Sequence, residues 1–331
     1  MIKSLLSAAA LSTLMATSAM AAGAGPAIVF DIGGKFDKSF NESMFNGAEK
    51  FKKETGQGYA EFEIANEAQR EQAIRNFADK GYSPIIAAGF AQAEAVTKVA
   101  KDYPDLKFAI IDMVVDPPNT ESIVFKEHEG SYLVGMMAAE ASKSGKVGFV
   151  GGMDIPLIHK FACGYVQGVK ADKKDATVFQ NMTGDTGAAW NDPVKGGEIT
   201  KGQMAKGADV VYAAAGATGV GVLQAAADAK KMSIGVDANQ NYLHPGSVLT
   251  SMMKRVDVAV YNIMKAGNDK FEPGIHALGL KEGGVDYAMD DNNKSMVSDA
   301  MKAKIEAAKA DIISGKLVVH DYMEDNKCPV E

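Results

Sequence analysis

Three apolar runs in this chain are followed by an aspartate: 27–32 contains Asp31, 106–111 precedes Asp112, and 234–236 precedes Asp237. If these runs are strands of open parallel sheets, their carboxyl ends line a binding crevice. Carboxylates accept hydrogen bonds, so three facing one cleft suit a ligand rich in hydroxyl or N–H donors. Each aspartate alone also fits a helix or turn cap. Catalytic readings are weaker. Ser39 has no histidine near it in sequence, and the G-x-S-x-G elbow is absent. Asp154 and His159 could pair with a distant serine, although His159 reads as the exposed neighbour of Lys160 on a helix. Carboxylates paired across a cleft would resemble a glycosidase, whose defining separation a sequence does not measure.

Metal and phosphate chemistry find no support. His128, His159, His244, His276 and His320 are scattered, with no pair at metal-ligand spacing, so neither a metal site nor a cofactor is expected. Glycine-rich turns occur at Gly33-Gly34, Gly151-Gly152 and Gly216-Ala217-Thr218-Gly219. None matches G-x-G-x-x-G, and no G-x-x-x-x-G-K-[ST] loop appears. These glycines are expected to permit close approach of backbone to a ligand, or positive φ in a turn. Two cysteines, Cys163 and Cys328, have no metal-motif spacing. An oxidising compartment permits a disulfide between them; the alternative is one buried thiol and one free tail thiol.

The elements that would position these residues repeat one unit, strand–turn–helix. The stretch KVGFVGGMDIPLIHKFACGYVQGVK (146–170) is its clearest copy: an apolar run, two glycines, Pro156, then an amphipathic segment. Before it, strands are expected at 27–32, 59–64, 84–88, 106–111 and 122–126. They alternate with helices at 38–54 (N-capped by Asp37), 67–79, 92–101 and 130–142. After it come strands at 177–180, 209–215, 234–236 and 248–251, and helices at 194–205 (capped by Asp192-Pro193), 219–229 and 256–265. An extended crossing is expected over 279–287, a long helix over 293–314 and an edge strand over 317–320. The fold class is α/β with two lobes, each a largely parallel sheet flanked by helices. The first lobe is expected to take 26–145 plus 252–284, and the second 146–251 plus 285–331. Several crossings make a multi-stranded hinge, so closure about the cleft is expected.

The 331 residues can bury one large core or two moderate ones, and a net charge of −7 argues against a nucleic-acid partner. Residues 1–22 read as a cleaved signal peptide: Lys3, an apolar run 5–15, then Ala19-Met20-Ala21. With no cysteine near the cleavage site, a periplasmic protein without a lipid anchor is expected.

The stretch FDIGGKFDKSFN (30–41) resembles the N-terminal signature of the basic membrane protein family, substrate-binding proteins of ABC transporters with the type I periplasmic-binding-protein fold. Further blocks are similar in the same order: EGSYLVGMMAA (129–139), KVGFVGGMDIP (146–156), WNDPVKG (190–196), AAGATGVGV (214–222), IGVD (234–237) and SMMKR (251–255). The resemblance covers nearly the whole chain after the leader, and the purine nucleoside receptor lipoproteins of spirochaetes belong to this family. It implies a purine held between aromatic rings, its edge met by carboxylate or amide groups. Phe40 resembles the first ring, Asp112 the strand-end carboxylate facing the ligand, Gly216 the glycine whose backbone approaches it, and Asp237 with Lys254 the sugar-binding pair. Trp190 stands where many members have a phenylalanine, and Asp31 and Asn41 fall inside the signature. The chain departs from the nucleoside receptors at Ala217, where they carry an aromatic, and in lacking the lipid-anchoring cysteine.

The residues taken on their own are compatible. Phe40 follows a strand–turn, and Trp190 sits among Ala188, Ala189, Asn191 and Asp192. Aromatic faces with hydrogen-bonding carboxylates match a heterocycle bearing a sugar. The resemblance thus implies a periplasmic receptor, a monomer, that binds a purine nucleoside and delivers it to an ABC permease in the inner membrane. A receptor for a nucleobase, sugar or sugar alcohol is the alternative, followed by a nucleoside-processing enzyme.

Overall fold

The computed structural model describes residues 24–330; the leader expected at 1–22 lies outside them. Two six-stranded sheets form. The first takes β1 (Ala27–Phe30), β2 (Ala60–Glu63), β3 (Ile85–Ala87), β4 (Phe108–Ile111), β5 (Thr120–Phe125) and, from much later in the chain, β11 (Gly274–Leu278). The second takes β6 (Lys146–Met153), β7 (Thr177–Gly184), β8 (Val210–Ala214), β9 (Met232–Asp237), β10 (Val248–Lys254) and β12 (Val285–Tyr287). Every pairing is parallel except β10 with β12. The spatial orders are β11-β5-β4-β3-β1-β2 and β12-β10-β9-β8-β6-β7. In each sheet the chain leaves its first strand toward one side and returns on the other. The crevice this reversal opens lies at the carboxyl ends of β1 and β3, and of β6 and β8. Apolar side chains on β1, β3 and β4 are wholly buried, as helices on both faces require.

Among the described residues nine α-helices cover the sheets in chain order: α1 (Phe40–Thr55), α2 (Arg70–Asp79), α3 (Ala93–Asp102), α4 (Glu127–Ala141), α5 (Pro156–Asp172), α6 (Pro193–Ala205), α7 (Thr218–Asp228), α8 (Val256–Ala266) and α9 (Asp299–Ile313). The lobe boundary after α4, expected near Gly145, falls a helix earlier. A Cβ on Gly164 would stand 2.4 Å from the His128 carbonyl oxygen, and one on Gly168 2.0 Å from that of Tyr132. Glycine four residues apart on α5 lets α4 approach backbone to backbone, so α4 packs with the second sheet. The chain therefore crosses between Phe125 and Glu127. It crosses back after Lys254, the last residue of β10, rather than before Met252. Residues 256–266 then return to the first lobe, where Gly47 of α1 meets the Asp257 carbonyl.

Other differences cluster near the C-terminus. The segment 279–287 holds a turn and only the short β12, while residues 274–278, unassigned from sequence, complete the first sheet's edge. The terminal helix begins at Asp299, where the Ser298 side chain accepts from Met301 N and caps it. Residues 317–320 form no strand. They belong to a tail that lies along α5 and ends at a Cys163–Cys328 disulfide with a Cα–Cα distance of 5.5 Å. Among the described residues no helix is long and apolar enough to cross a membrane.

Candidate functional site

A cavity of about 630 Å³, counting its opening to solvent, lies between the two sheets' carboxyl edges. Asp31, Phe40, Asn41, Asp112, Trp190, Gly216, Asp237 and Lys254 all line it. So do Asp37, Gly89, Phe90 and Phe161, for which the sequence reading assigned no ligand role.

The first-lobe wall is built from one local stretch. Asp31 N donates to Asn41 Oδ1 at 3.2 Å, and Asn41 Nδ2 donates back to the Asp31 carbonyl at 3.3 Å. Asn41 thereby fixes where Asp31 sits. Asp31 Oδ1 accepts from Ile32 N at 2.8 Å and from Arg70 Nη2 at 3.1 Å. Its Oδ2 passes 2.9 Å from where a Cβ on Gly89 would stand, which explains glycine at the end of β3. Burial raises the Asp31 pKa, with the Ile32 amide and Arg70 opposing. The N-cap residue of α1 is Ser39 rather than Asp37, but the Asp37 carboxylate supplies the capping bonds: it accepts from Ser39 N, Asn41 N and Glu42 N at 2.8, 3.0 and 3.1 Å. Burial nevertheless pushes it up to about 7 against those three amides. Phe40 is the first residue of α1.

The deep wall gathers distant residues. Asp112 follows β4 and Asp237 ends β9, with φ of 72° and 63°. Left-handed backbone costs a non-glycine residue of order 1–3 kcal/mol, and such strain concentrates at ligand sites. Lys254, at the end of β10, is 1 % exposed. Its ammonium donates to Asp112 Oδ2 at 2.7 Å and lies 3.0 Å from Glu127 Oε1. The rings of Phe125, Phe40 and Phe161 surround it, with centroids 5.1, 5.3 and 5.5 Å away. Burial works against this charge, but Asp112, Glu127 and Asp237 outweigh it and hold the Lys254 pKa above its ordinary value. Burial likewise raises Asp237, partly offset by Lys254 and Ser39.

Asp237 and Lys254, expected to meet a sugar together, both line the cavity without bonding to each other. Lys254 pairs with Asp112 and Glu127, whereas Asp237 Oδ2 accepts from Ser39 Oγ at 2.5 Å. Glu127 was missed because KEHE (126–129) offers four ionisable side chains and no pattern that selects one for burial. The Ser39–Asp237 bond joins the lobes, as do Lys254–Asp112 and Gln240 Nε2 to the Lys38 carbonyl at 2.9 Å. The lobes therefore meet across the cleft.

One glycine turn does different work from that expected, while Gly216 takes the expected positive φ. A Cβ on Gly152 would fall 2.2 Å from Trp190 Cζ3, so Gly152 makes room for the tryptophan ring. Gly216 has φ 57° and sits 3.3 Å, measured from its would-be Cβ, from the Trp190 carbonyl oxygen. His159 Nε2 lies 2.7 Å from Asp154 Oδ1, outside the cavity, and its ring stacks on Tyr322. Among the described residues no three His, Cys, Asp or Glu side chains converge to hold a metal ion.

Residues 26–322 match the family described as Bmp, ABC transporter substrate-binding protein PnrA-like. The chain is 36% identical over 318 residues to the ABC transporter nucleoside-binding protein BmpA of Lactococcus lactis, covering 88% of each. It is 36% identical over 278 residues to an uncharacterized lipoprotein of Pyrococcus furiosus, covering 79% of this chain and 69% of the relative. Among solved structures, an ABC transporter solute-binding protein from Aeropyrum pernix K1 superposes with a TM-score of 0.82 at 29% identity, covering 89% of this chain and 93% of that one.

Proposed function

We propose, for a chain that belongs to the Bmp family of PnrA-like ABC transporter substrate-binding proteins, that the interlobe cleft takes a purine nucleoside. The observation that carries the reading is the lining: two aromatic side chains, Phe40 and Trp190, share one cavity with Asp31, Asp112, Asp237 and Lys254. The base lies between the rings. Asp31 Oδ2, which no chain amide uses, accepts from an N–H on the base edge. Asp237 accepts from a ribose hydroxyl, and Lys254 donates to its neighbour with the N–H left over from Asp112 and Glu127. A ligand lacking the ribose leaves those buried groups unpaired, which is how the site discriminates. The name of the Lactococcus relative supports the nucleoside.

Capture proceeds from an open form, and the bonds Ser39–Asp237 and Lys38–Gln240 hold the lobes once shut. The receptor acts as a monomer in the periplasm and delivers the nucleoside to an inner-membrane permease. The lipoprotein name of the Pyrococcus relative makes the anchor a point to test by intact mass of the mature chain. Ser39 spends its hydroxyl on Asp237, not on a histidine, which favours a receptor over a hydrolase.

Calorimetry with adenosine, guanosine, inosine, their free bases, pyrimidine nucleosides, ribose and sugar alcohols tests the reading, alongside mass spectrometry of small molecules released from freshly purified protein. Purine nucleosides should bind more tightly than their bases. Tight binding of sugars with no nucleoside bound would replace the nucleoside by another small solute.

A further inference from the structure

Behind Lys254 the charges do not stop. Glu127 is 1 % exposed and stands between two ammonium groups: Oε1 is 3.0 Å from Lys254 Nζ and Oε2 is 3.1 Å from Lys160 Nζ. Lys160 is buried on α5. Its ammonium donates to the Phe125 carbonyl at 2.7 Å and lies 3.2 Å from Asp321 Oδ2. Signs alternate from the cleft outward: Asp112, Lys254, Glu127, Lys160, Asp321. Both lysines outweigh burial and keep Glu127 below the ordinary carboxylate range, so it is charged. His128 also approaches Asp321, with Nδ1 3.6 Å from Oδ2, but burial pushes the imidazole down to about 4 and leaves it neutral.

Asp321 belongs to the tail, and the tail is fixed to one stripe of α5. His159, Cys163 and Gln167 are spaced by four and share that face. His159 stacks on Tyr322, Cys163 is bonded to Cys328, and Gln167 exchanges two 2.9 Å hydrogen bonds with the His320 backbone. Asp321 Oδ1 meanwhile accepts from Met323 N, which orients the side chain.

We propose that the C-terminal tail is part of the binding machinery: Asp321, pinned by the Cys163–Cys328 bridge, is a positioning residue that acts through Lys160 and Glu127 on the Lys254 ammonium in the cleft. Glu127 is shared, so its place is a balance of two attractions. Asp321 satisfies Lys160 from the far side and leaves Glu127 free to anchor Lys254 opposite Asp112. Without that carboxylate Glu127 relaxes toward Lys160. Lys254 then keeps one anchor of two and is no longer held where it meets a ligand hydroxyl.

The test uses Asp321→Asn, which retains an oxygen to cap Met323 N, and Cys328→Ser, which releases the tail; the second keeps the inference testable if the first fails to fold. In ¹⁵N-labelled, ligand-free protein the Lys254 ammonium resonance, assigned with Lys254→Arg, should shift in both variants. The second arm rests on the nucleoside reading. Affinity for whichever of adenosine, guanosine or inosine binds wild type most tightly should fall about fivefold to tenfold, and that for the matching free base less than about twofold. An unmoved Lys254 resonance overturns the proposal, and so do equal losses for nucleoside and base. A shifted resonance in a protein that binds no nucleoside upholds the positioning role and removes only the ligand assignment.

Discussion

The two walls of the cleft solve the same problem, fixing buried carboxylates in place, by opposite means. On the Asp31 wall, backbone amides of one short stretch do most of the work. Asp31 accepts from the next residue's N–H, and Asp37 accepts three amides of the helix it caps. On the Lys254 wall, charges answer charges across the chain: Lys254 and Asp112 are 142 residues apart. Amide cradles survive the loss of one partner because the others remain. A buried ion lattice does not, because removing one member strands its neighbours.

The sharpest way to break that comparison is to remove one cation from each wall. Lys254→Met leaves Asp112 and Glu127 buried without their shared partner. It should cost about 3–5 kcal/mol of stability and abolish measurable binding. Arg70→Met leaves Asp31 its Ile32 amide and should cost only about 1–2 kcal/mol. Urea unfolding of both variants measures the difference. Equal costs would mean that the two walls are held alike.

A second pair of variants separates the aromatic contribution from either wall. Trp190→Ala should weaken nucleoside binding by about tenfold to a hundredfold, the worth of roughly 1–3 kcal/mol for stacking on a base. Gly152→Ala leaves the ring present but displaces it, since the added Cβ falls 2.2 Å from Cζ3. Its loss should be smaller, about tenfold or less. Trp190 is the only tryptophan of the chain, so its emission reports the displacement directly. Unchanged emission and affinity in Gly152→Ala would show that the ring position does not matter to the ligand.

What could be read beforehand follows the same division. FDIGGKFDKSFN places Asp31, Asp37, Phe40 and Asn41 within one turn and one helix start, so local rules suffice to bring them together. Asp112 and Asp237 were legible as strand ends, and Lys254 through its SMMKR block. Their partners were not legible. The pairing of Lys254 depends on how β4, β10 and α4 converge, and no periodicity encodes that convergence. The placement of α4 was missed for a related reason: its helical pattern is plain, but Gly164 and Gly168, which dock it on α5, lie in another element. The tail failed as a strand because its backbone bonds go to Gln167 and to its own turns instead of to a sheet edge.

The smallest expected effect tests the amide-cradled wall on its own terms. Burial raises Asp37 from 3.8 to about 7, with three amides pulling the other way and the charge of Asp237 adding to the rise. A carboxyl whose folded pKa exceeds its unfolded value binds a proton more readily when folded. Its contribution to stability is fully present below pH 3.8 and is lost as pH rises through about 7. Asp37→Asn removes that titration and keeps one oxygen for the Ser39 and Glu42 amides, although its NH2 faces Asn41 N. The variant therefore carries a fixed offset and no slope from this site. The melting temperature of wild type, minus that of Asp37→Asn, should shrink by a few degrees between about pH 4.5 and 7.5. A difference that instead stays flat over that range would mean that the helix amides outweigh burial and hold the carboxylate charged throughout. The contrast with the Lys254 wall would then sharpen: Asp37 would keep its charge with backbone dipoles, whereas Asp112 and Glu127 keep theirs with counter-charges.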